Sequence, residues 1–241
     1  MRPQRPAVHP AAAINRKQVP PIPLLLTFIN KQAMQLYPTI VSYLKEAEKE
    51  IDFIPAERKD ALEKLTAFVK ERTGAGKPSY LVFICTHNSR RSHTAQLWAA
   101  AAAAYYSIDH VETYSGGTEV TAFHQNAIKA LSNAGFHIMP AKNGENPVYN
   151  VKLGDHLPII RSFSKKFMDT PNPQADFAAI MTCSSADRGC PFVPGATARI
   201  AIPYNDPKAS DGTPQQEQVY AERGKNIAVE MLYVFSGIRK S

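Results

Sequence analysis

The chain has few cysteines, no long apolar run and no dense basic run, and each lack closes off a class of protein. Three cysteines in 241 residues are too few for a secreted disulfide scaffold. No signal-peptide pattern is evident, so the thiols are expected to stay reduced in a cytoplasmic setting. The longest apolar stretch near the start, Ile22 to Ile29, is too short to span a bilayer, and no membrane role is expected. The net charge of +7 comes without a phosphate-tracking cluster of Lys and Arg, so nucleic acid is not the expected partner. A diffuse positive excess suits a small oxyanion substrate, which it steers inward. Residues 1–23 contain no acidic residue and no serine. Their prolines, with Arg2, Arg5, Arg16 and Lys17, read as a disordered basic tail over 1–30 rather than a transit peptide. Gly74 and Gly76 lack the Lys-Ser/Thr ending of a nucleotide loop, so Thr73 to Pro78 reads as a linker.

Patterning divides the remaining chain in two. Over 31–76, Ile40, Leu44, Ala47 and Ile51 share one helical face and Leu62, Leu65, Phe68 and Val69 another, separated at Ile54-Pro55. This predicts a helical hairpin extension, suited to packing on the catalytic domain or to dimerising. Over 77–241, strands at 79–84, 111–115, 177–182 and 197–202 alternate with helices near 92–106, 124–135 and 215–236. The fold class expected is α/β, a three-layer parallel sheet of about four strands with helices on both faces, plus the N-terminal helical extension. Residues 139–175, rich in Gly and Pro, break the alternation and are expected to be either a lid or a surface insertion.

The chemistry concentrates at Cys85-Thr86-His87-Asn88-Ser89-Arg90-Arg91-Ser92, which follows the apolar run Tyr80 to Ile84. A cysteine, five residues, an arginine and a serine between a strand and a helix form a loop that curls around a tetrahedral oxyanion. Backbone N–H groups and the helix N-terminus supply positive polarity, and an arginine fork holds two oxygens. In that field Cys85 is expected to ionise and act as a nucleophile. Ser92 is expected to hydrogen-bond the sulfur, and Asn88 to tolerate the left-handed backbone the loop needs. His87 reads as a rim residue. Arg90 either adds a second charge near the anion or points to solvent. Cys183 and Cys190 flank a short polar stretch after a second buried strand, and that stretch is able to unwind and bring the two sulfurs together.

These residues resemble the low-molecular-weight protein tyrosine phosphatase superfamily and, more narrowly, its thioredoxin-coupled arsenate reductase branch. The anion loop, Ser115 to Glu119, His124 and Asn205-Asp206-Pro207 carry the superfamily likeness from about Lys77 onward. The cysteine pair carries the likeness to the reductases. The resemblance implies Cys85 as nucleophile, Arg91 as transition-state clamp and Asp206 as general acid. It also implies Cys183 and Cys190 as a disulfide relay emptied by a thioredoxin-like reductant. Thr86, His87, Asn88, Ser89, Arg90, Arg91 and Ser92 would bind arsenate or a phosphate ester, with no cofactor. Gln96 stands where some relatives have a glutamate that serves a potassium site, so no metal is expected. The alternatives are a phosphatase working through a phosphocysteine and a non-catalytic phosphate binder. Lys208 stands where many tyrosine phosphatases have a ring-stacking tyrosine after Asp-Pro.

Overall fold

The computed structural model describes residues 35–189 and 192–239. The basic tail read over 1–30 and the relay cysteine Cys190 lie outside the described residues.

The chain begins with helices α1 (Pro38–Glu48) and α2 (Ala56–Gly74), then strand β1 (Ser79–Cys85), helix α3 (Arg91–Tyr105) and strand β2 (Val111–Gly117). Next come α4 (Gln125–Asn133) and three strands, β3 (His137–Lys142), β4 (Val148–Lys152) and β5 (Ile160–Ser162). The chain finishes with β6 (Phe177–Met181), α5 (Ser184–Gly189), β7 (Ala196–Ala201) and the long α6 (Gln216–Arg239).

Four strands form a parallel sheet in the order β2-β1-β6-β7. The central pair is apolar and buried from Leu81 to Cys85 and along all of β6, because a parallel strand flanked on both faces has no wet side. Alternate residues serve the two faces. Leu81, Phe83, Ala178 and Ile180 join the main core beneath α2, α3 and α6. Val82, Ile84, Ala179 and Met181 pack on the other side with Ala186 of α5, Val193 and Phe167. β1 feeds β2 on one side and has β6 on the other, so its carboxyl end opens into the crevice where strand order reverses. Ligand loops of α/β sheets lie at that crevice, and Cys85 is the last residue of β1.

The residues read as an extension are part of the main core. Ile40 and Leu44 of α1 and Leu62, Leu65 and Val69 of α2 are fully buried in the same cluster as the sheet. Arg58 of α2 donates two bonds, 2.6 and 2.8 Å, to Glu230 of α6. Thr66 donates to the carbonyl of Val234 at 3.2 Å. Residues 137–162 form a second, antiparallel sheet in the order β3-β4-β5, which the sequence reading did not assign. Its strands are short, Pro140 sits on an edge strand, and only Tyr149, Val151 and Ser162 are buried, so the period-2 signal is too brief to read. Among the described residues no helix is long and apolar enough to cross a membrane.

Candidate active site

The loop after β1 is held in place from outside. Its carbonyls at Cys85, Thr86, His87 and Ser89 accept bonds from Thr118, Glu119, Thr121 and His124 in the segment that follows β2. Ser164 adds a second bond to the carbonyl of His87, at 2.9 Å. The amides of His87, Asn88, Ser89, Arg90 and Arg91 donate to no protein acceptor among the described residues. A run of unpaired N–H groups that ends on a helix N-terminus is an oxyanion cradle. Gly117 makes the close approach possible. A Cβ there would stand 2.6 Å from the carbonyl oxygen of Thr86 and 2.7 Å from the amide of Asn88.

Asn88 governs the loop's interior. It is fully buried, with φ of 43°, in the left-handed region that asparagine tolerates better than most residues. Its Nδ2 donates to the hydroxyl of Ser92 at 2.9 Å, and its Oδ1 accepts the amide of Lys165 at 2.9 Å. The bond from Asn88 occupies a lone pair of the Ser92 oxygen, which leaves the hydroxyl proton available for another acceptor. The sulfur of Cys85 lies 3.2 Å from that oxygen, so Ser92 is set to donate to it.

Arg91 and Asp206 meet at the mouth of the loop. The guanidinium donates to Asp206 Oδ2 at 2.6 Å and to the carbonyl of Tyr204 at 3.3 Å. Asp206 Oδ1 caps the short turn Pro207–Ser210 by accepting the Lys208 amide at 3.0 Å, which fixes the carboxylate's direction. Arg90 behaves differently from its neighbour. Its guanidinium donates to Tyr220 at 2.6 Å and to Asp211 at 2.6 Å, so it neither faces solvent nor stands free as a second charge for an anion. Burial works against the charge on Asp211, yet hydrogen bonds from Tyr220, Asn126 and Arg90 hold its carboxyl below the usual range. That network ties the segment carrying Asp206 to the residue beside Arg91.

Cys183 is buried, with its sulfur 3.6 Å from the hydroxyl of Thr86 and accepting the Ala186 amide at 3.3 Å. Cys85 and Cys183 belong to one buried cluster. His87 lies on the rim, 3.3 Å from Glu119. His93 is fully buried, stacks on Phe123 and pairs its Nδ1 with Ser115 at 3.1 Å. Burial, then the charge of Lys165, pushes its imidazole well below the ordinary value. Gln96 is buried and donates to the carbonyl of Thr113 at 2.9 Å. Among the described residues no group of three His, Cys, Asp or Glu side chains is placed to hold a metal.

The sequence reading missed Ser164 and Lys165, which reach the loop from the irregular 139–175 segment. Lys165 is 4% exposed, and its ammonium stands 4.7 Å from the ring centre of Phe163. Burial lowers its affinity for a proton to a pKa of about 8, with Asp169 opposing the shift. Only Gly144, Gly154 and the prolines of the 139–175 segment marked the region as unusual.

No family model matches the chain. The chain is 27% identical over 143 residues to an arsenate reductase of Bacillus subtilis (strain 168), a match covering 59% of this chain and 84% of that one. It is 25% identical over 160 residues to an arsenate reductase of Bacillus licheniformis, covering 65% and 94%. This chain is an enzyme similar in sequence to the arsenate reductases. A solved low-molecular-weight protein tyrosine phosphatase from T. tengcongensis matches 66% of the enzyme and 98% of its own length, at 16% identity and a TM-score of 0.45. The α/β architecture, a four-stranded parallel sheet with helices on both faces, is the fold class expected from the sequence.

The buried Lys165 generates a prediction with a definite sign. Its folded pKa of about 8 lies below the value of 10.5 for a free lysine. Between those limits the unfolded chain binds the proton that the folded chain has released, so this group makes stability rise with pH. Below pH 8 the full cost of burying the charge is present. Lys165→Met is therefore expected to be more stable than the parent at pH 7, with the difference shrinking as pH rises toward 10.5. Urea unfolding of both proteins across that range checks it, and a difference independent of pH contradicts it.

Proposed function

We propose that this enzyme reduces arsenate to arsenite through Cys85 and a Cys183/Cys190 disulfide relay. The observation that carries the reading is the seat of Cys183, in van der Waals reach of Thr86 and in the same buried cluster as Cys85. A phosphatase has no use for a second thiol there.

In the first step the Cys85 sulfur attacks arsenic of hydrogen arsenate and displaces its hydroxyl group, which takes one proton from Asp206 and leaves as water. The unpaired amides and Arg91 hold the remaining oxygens and stabilise the charge that builds on them. The anion's oxygens compete with Asp206 for the Arg91 N–H groups, one of which stands 2.6 Å from its carboxylate. The Cys183 thiolate then attacks the Cys85 sulfur. A Cys85–Cys183 disulfide forms, the S–As bond breaks, and its electron pair stays on arsenic, which departs as arsenite. Cys190 attacks Cys183, freeing Cys85 as a thiolate and leaving a Cys183–Cys190 disulfide. A thioredoxin-like dithiol reduces that disulfide and restores both thiols. This cycle requires a reducing compartment, and the cytoplasm supplies one. Residues 77–241 carry the chemistry, and the helices before them brace α6.

The same nucleophile, clamp and acid suffice for slow hydrolysis of small phosphomonoesters, a residual activity of this enzyme in the proposed reading. Lys208 in place of an aromatic residue after Asp206-Pro207 argues against a pocket specialised for phosphotyrosine.

Two variants separate relay from hydrolysis. Cys190→Ser is expected to abolish multiple-turnover, thioredoxin-dependent arsenate reduction while leaving aryl phosphate hydrolysis near the parent rate. Equal survival of both activities removes the relay. Asp206→Asn is expected to slow aryl phosphate hydrolysis by about two to four powers of ten. An unchanged hydrolysis rate removes Asp206 from the mechanism.

A further inference from the structure

Two adjacent arginines at the start of α3 reach two acidic residues on one short segment. Arg91 pairs with Asp206 at the mouth of the anion loop, at 2.6 Å. Arg90 pairs with Asp211, also at 2.6 Å, just beyond the turn Pro207–Ser210. The turn couples the two carboxylates. Asp206 Oδ1 accepts the Lys208 amide at 3.0 Å, and the Ser210 hydroxyl donates to the Pro207 carbonyl at 2.8 Å. The Asp211 amide donates to the Lys208 carbonyl at 3.0 Å. A displacement of Asp211 is therefore passed on to Asp206.

The Asp211 end is braced from three sides. Its Oδ2 accepts Arg90 Nη2, and its Oδ1 accepts the Tyr220 hydroxyl at 2.7 Å and Asn126 Nδ2 at 3.0 Å. Arg90 Nε donates to the same Tyr220 oxygen at 2.6 Å, so guanidinium, phenol and carboxylate close a ring of three bonds. Gln216 adds a brace from α6. Its Nε2 donates to Asn126 Oδ1 at 3.1 Å, and its Oε1 accepts the Gly212 amide at 2.8 Å. His124 Nε2 also lies 3.7 Å from Asp211 Oδ2. Burial, then the charge of Arg90, lowers its imidazole from the ordinary value, so Arg90 is the cation that holds this carboxylate at neutral pH.

Arg91 cannot alone hold Asp206 through turnover, because the anion's oxygens compete for the same N–H groups. Arg90, bonded to Tyr220 and Asp211, meets no such competitor. We propose that Arg90 is a positioning residue: through Asp211 it latches the 206–211 segment over the anion loop, so that Asp206 stays aimed at the leaving oxygen while Arg91 holds the anion. The inference rests on the reading of Asp206 as general acid. In hydrolysis of an aryl phosphate, a bond forms between the Cys85 sulfur and phosphorus and the ester P–O bond breaks. The leaving oxygen keeps that electron pair and takes the Asp206 proton. Loosening the latch weakens proton delivery and leaves nucleophile and cradle in place. A poor leaving group feels that loss most.

For aryl phosphates kcat/KM reports the step in which the leaving group departs. It is measured on the full chain with phenyl phosphate, whose leaving group needs the proton more, and para-nitrophenyl phosphate, whose leaving group needs it less. Asp211→Asn and Arg90→Gln are expected to lower kcat/KM for phenyl phosphate by about ten- to a hundredfold, part of what a general acid supplies, and to lower that for para-nitrophenyl phosphate much less. Tyr220→Phe deletes one hydroxyl, keeps the ring, and is expected to show the same split at smaller size. In an Asp206→Asn background neither Asp211→Asn nor Arg90→Gln is expected to lower either value further, because the latch acts through that carboxyl. Equal losses on both substrates, or a further loss in the Asp206→Asn background, overturn the latch and leave Asp206 as the acid. If Asp206→Asn itself affects both substrates alike, or the parent turns over neither, the acid reading fails and the latch fails with it.

Discussion

The side chain of Asn88 is the pivot of this structure. With its backbone in a left-handed conformation, it reaches Ser92 on one side and the amide of Lys165 on the other. The first bond sets the hydroxyl that faces the Cys85 sulfur. The second anchors the loop to a segment 77 residues further on. Without both, five consecutive amides would have no reason to converge, because unpaired N–H groups normally seek the nearest carbonyl. The outward bonds from the 118–124 segment and Ser164 hold the loop's carbonyls elsewhere and complete the cradle.

This arrangement stores unfavourable free energy at the site. A left-handed asparagine, a buried ammonium that Asp169 offsets only in part and unpaired amides are each costly in isolation. The surrounding core compensates. Large apolar side chains of α1, α2, α3 and α6 are fully buried over one face of the sheet, and the central strands are dry on both faces. The rigid frame confines the strain to the mouth of β1, where an anion supplies the acceptors that the protein withholds.

What the sequence disclosed follows from how local each signal is. Cys85, Asn88, Arg91 and Ser92 sit within one strand-loop-helix unit, so their spacing alone announced a loop for an oxyanion. The alternation of apolar runs gave the parallel sheet for the same reason. Arg90 was read as a second charge near the anion or a solvent-facing residue, because Asp211 and Tyr220, which hold it, lie 121 and 130 residues away. Lys165 and Ser164 were hidden in a segment whose short strands are broken by Gly and Pro. The helices α1 and α2 were legible as helices. Packing on the catalytic domain was one of two expectations for them, since an amphipathic face does not say whether a neighbouring domain or a second copy covers it.

The central claim is that Cys85 forms the floor of a cradle built to receive a tetrahedral oxyanion. The most direct measurement is the rate of Cys85 alkylation by iodoacetamide, followed peptide by peptide, with and without inorganic arsenate or phosphate. The account predicts that either anion slows alkylation of Cys85 in a saturable manner, and that Arg91→Ala loses this protection while Cys85 still alkylates. Alkylation of Cys85 at the same rate whether or not the anions are present would contradict it.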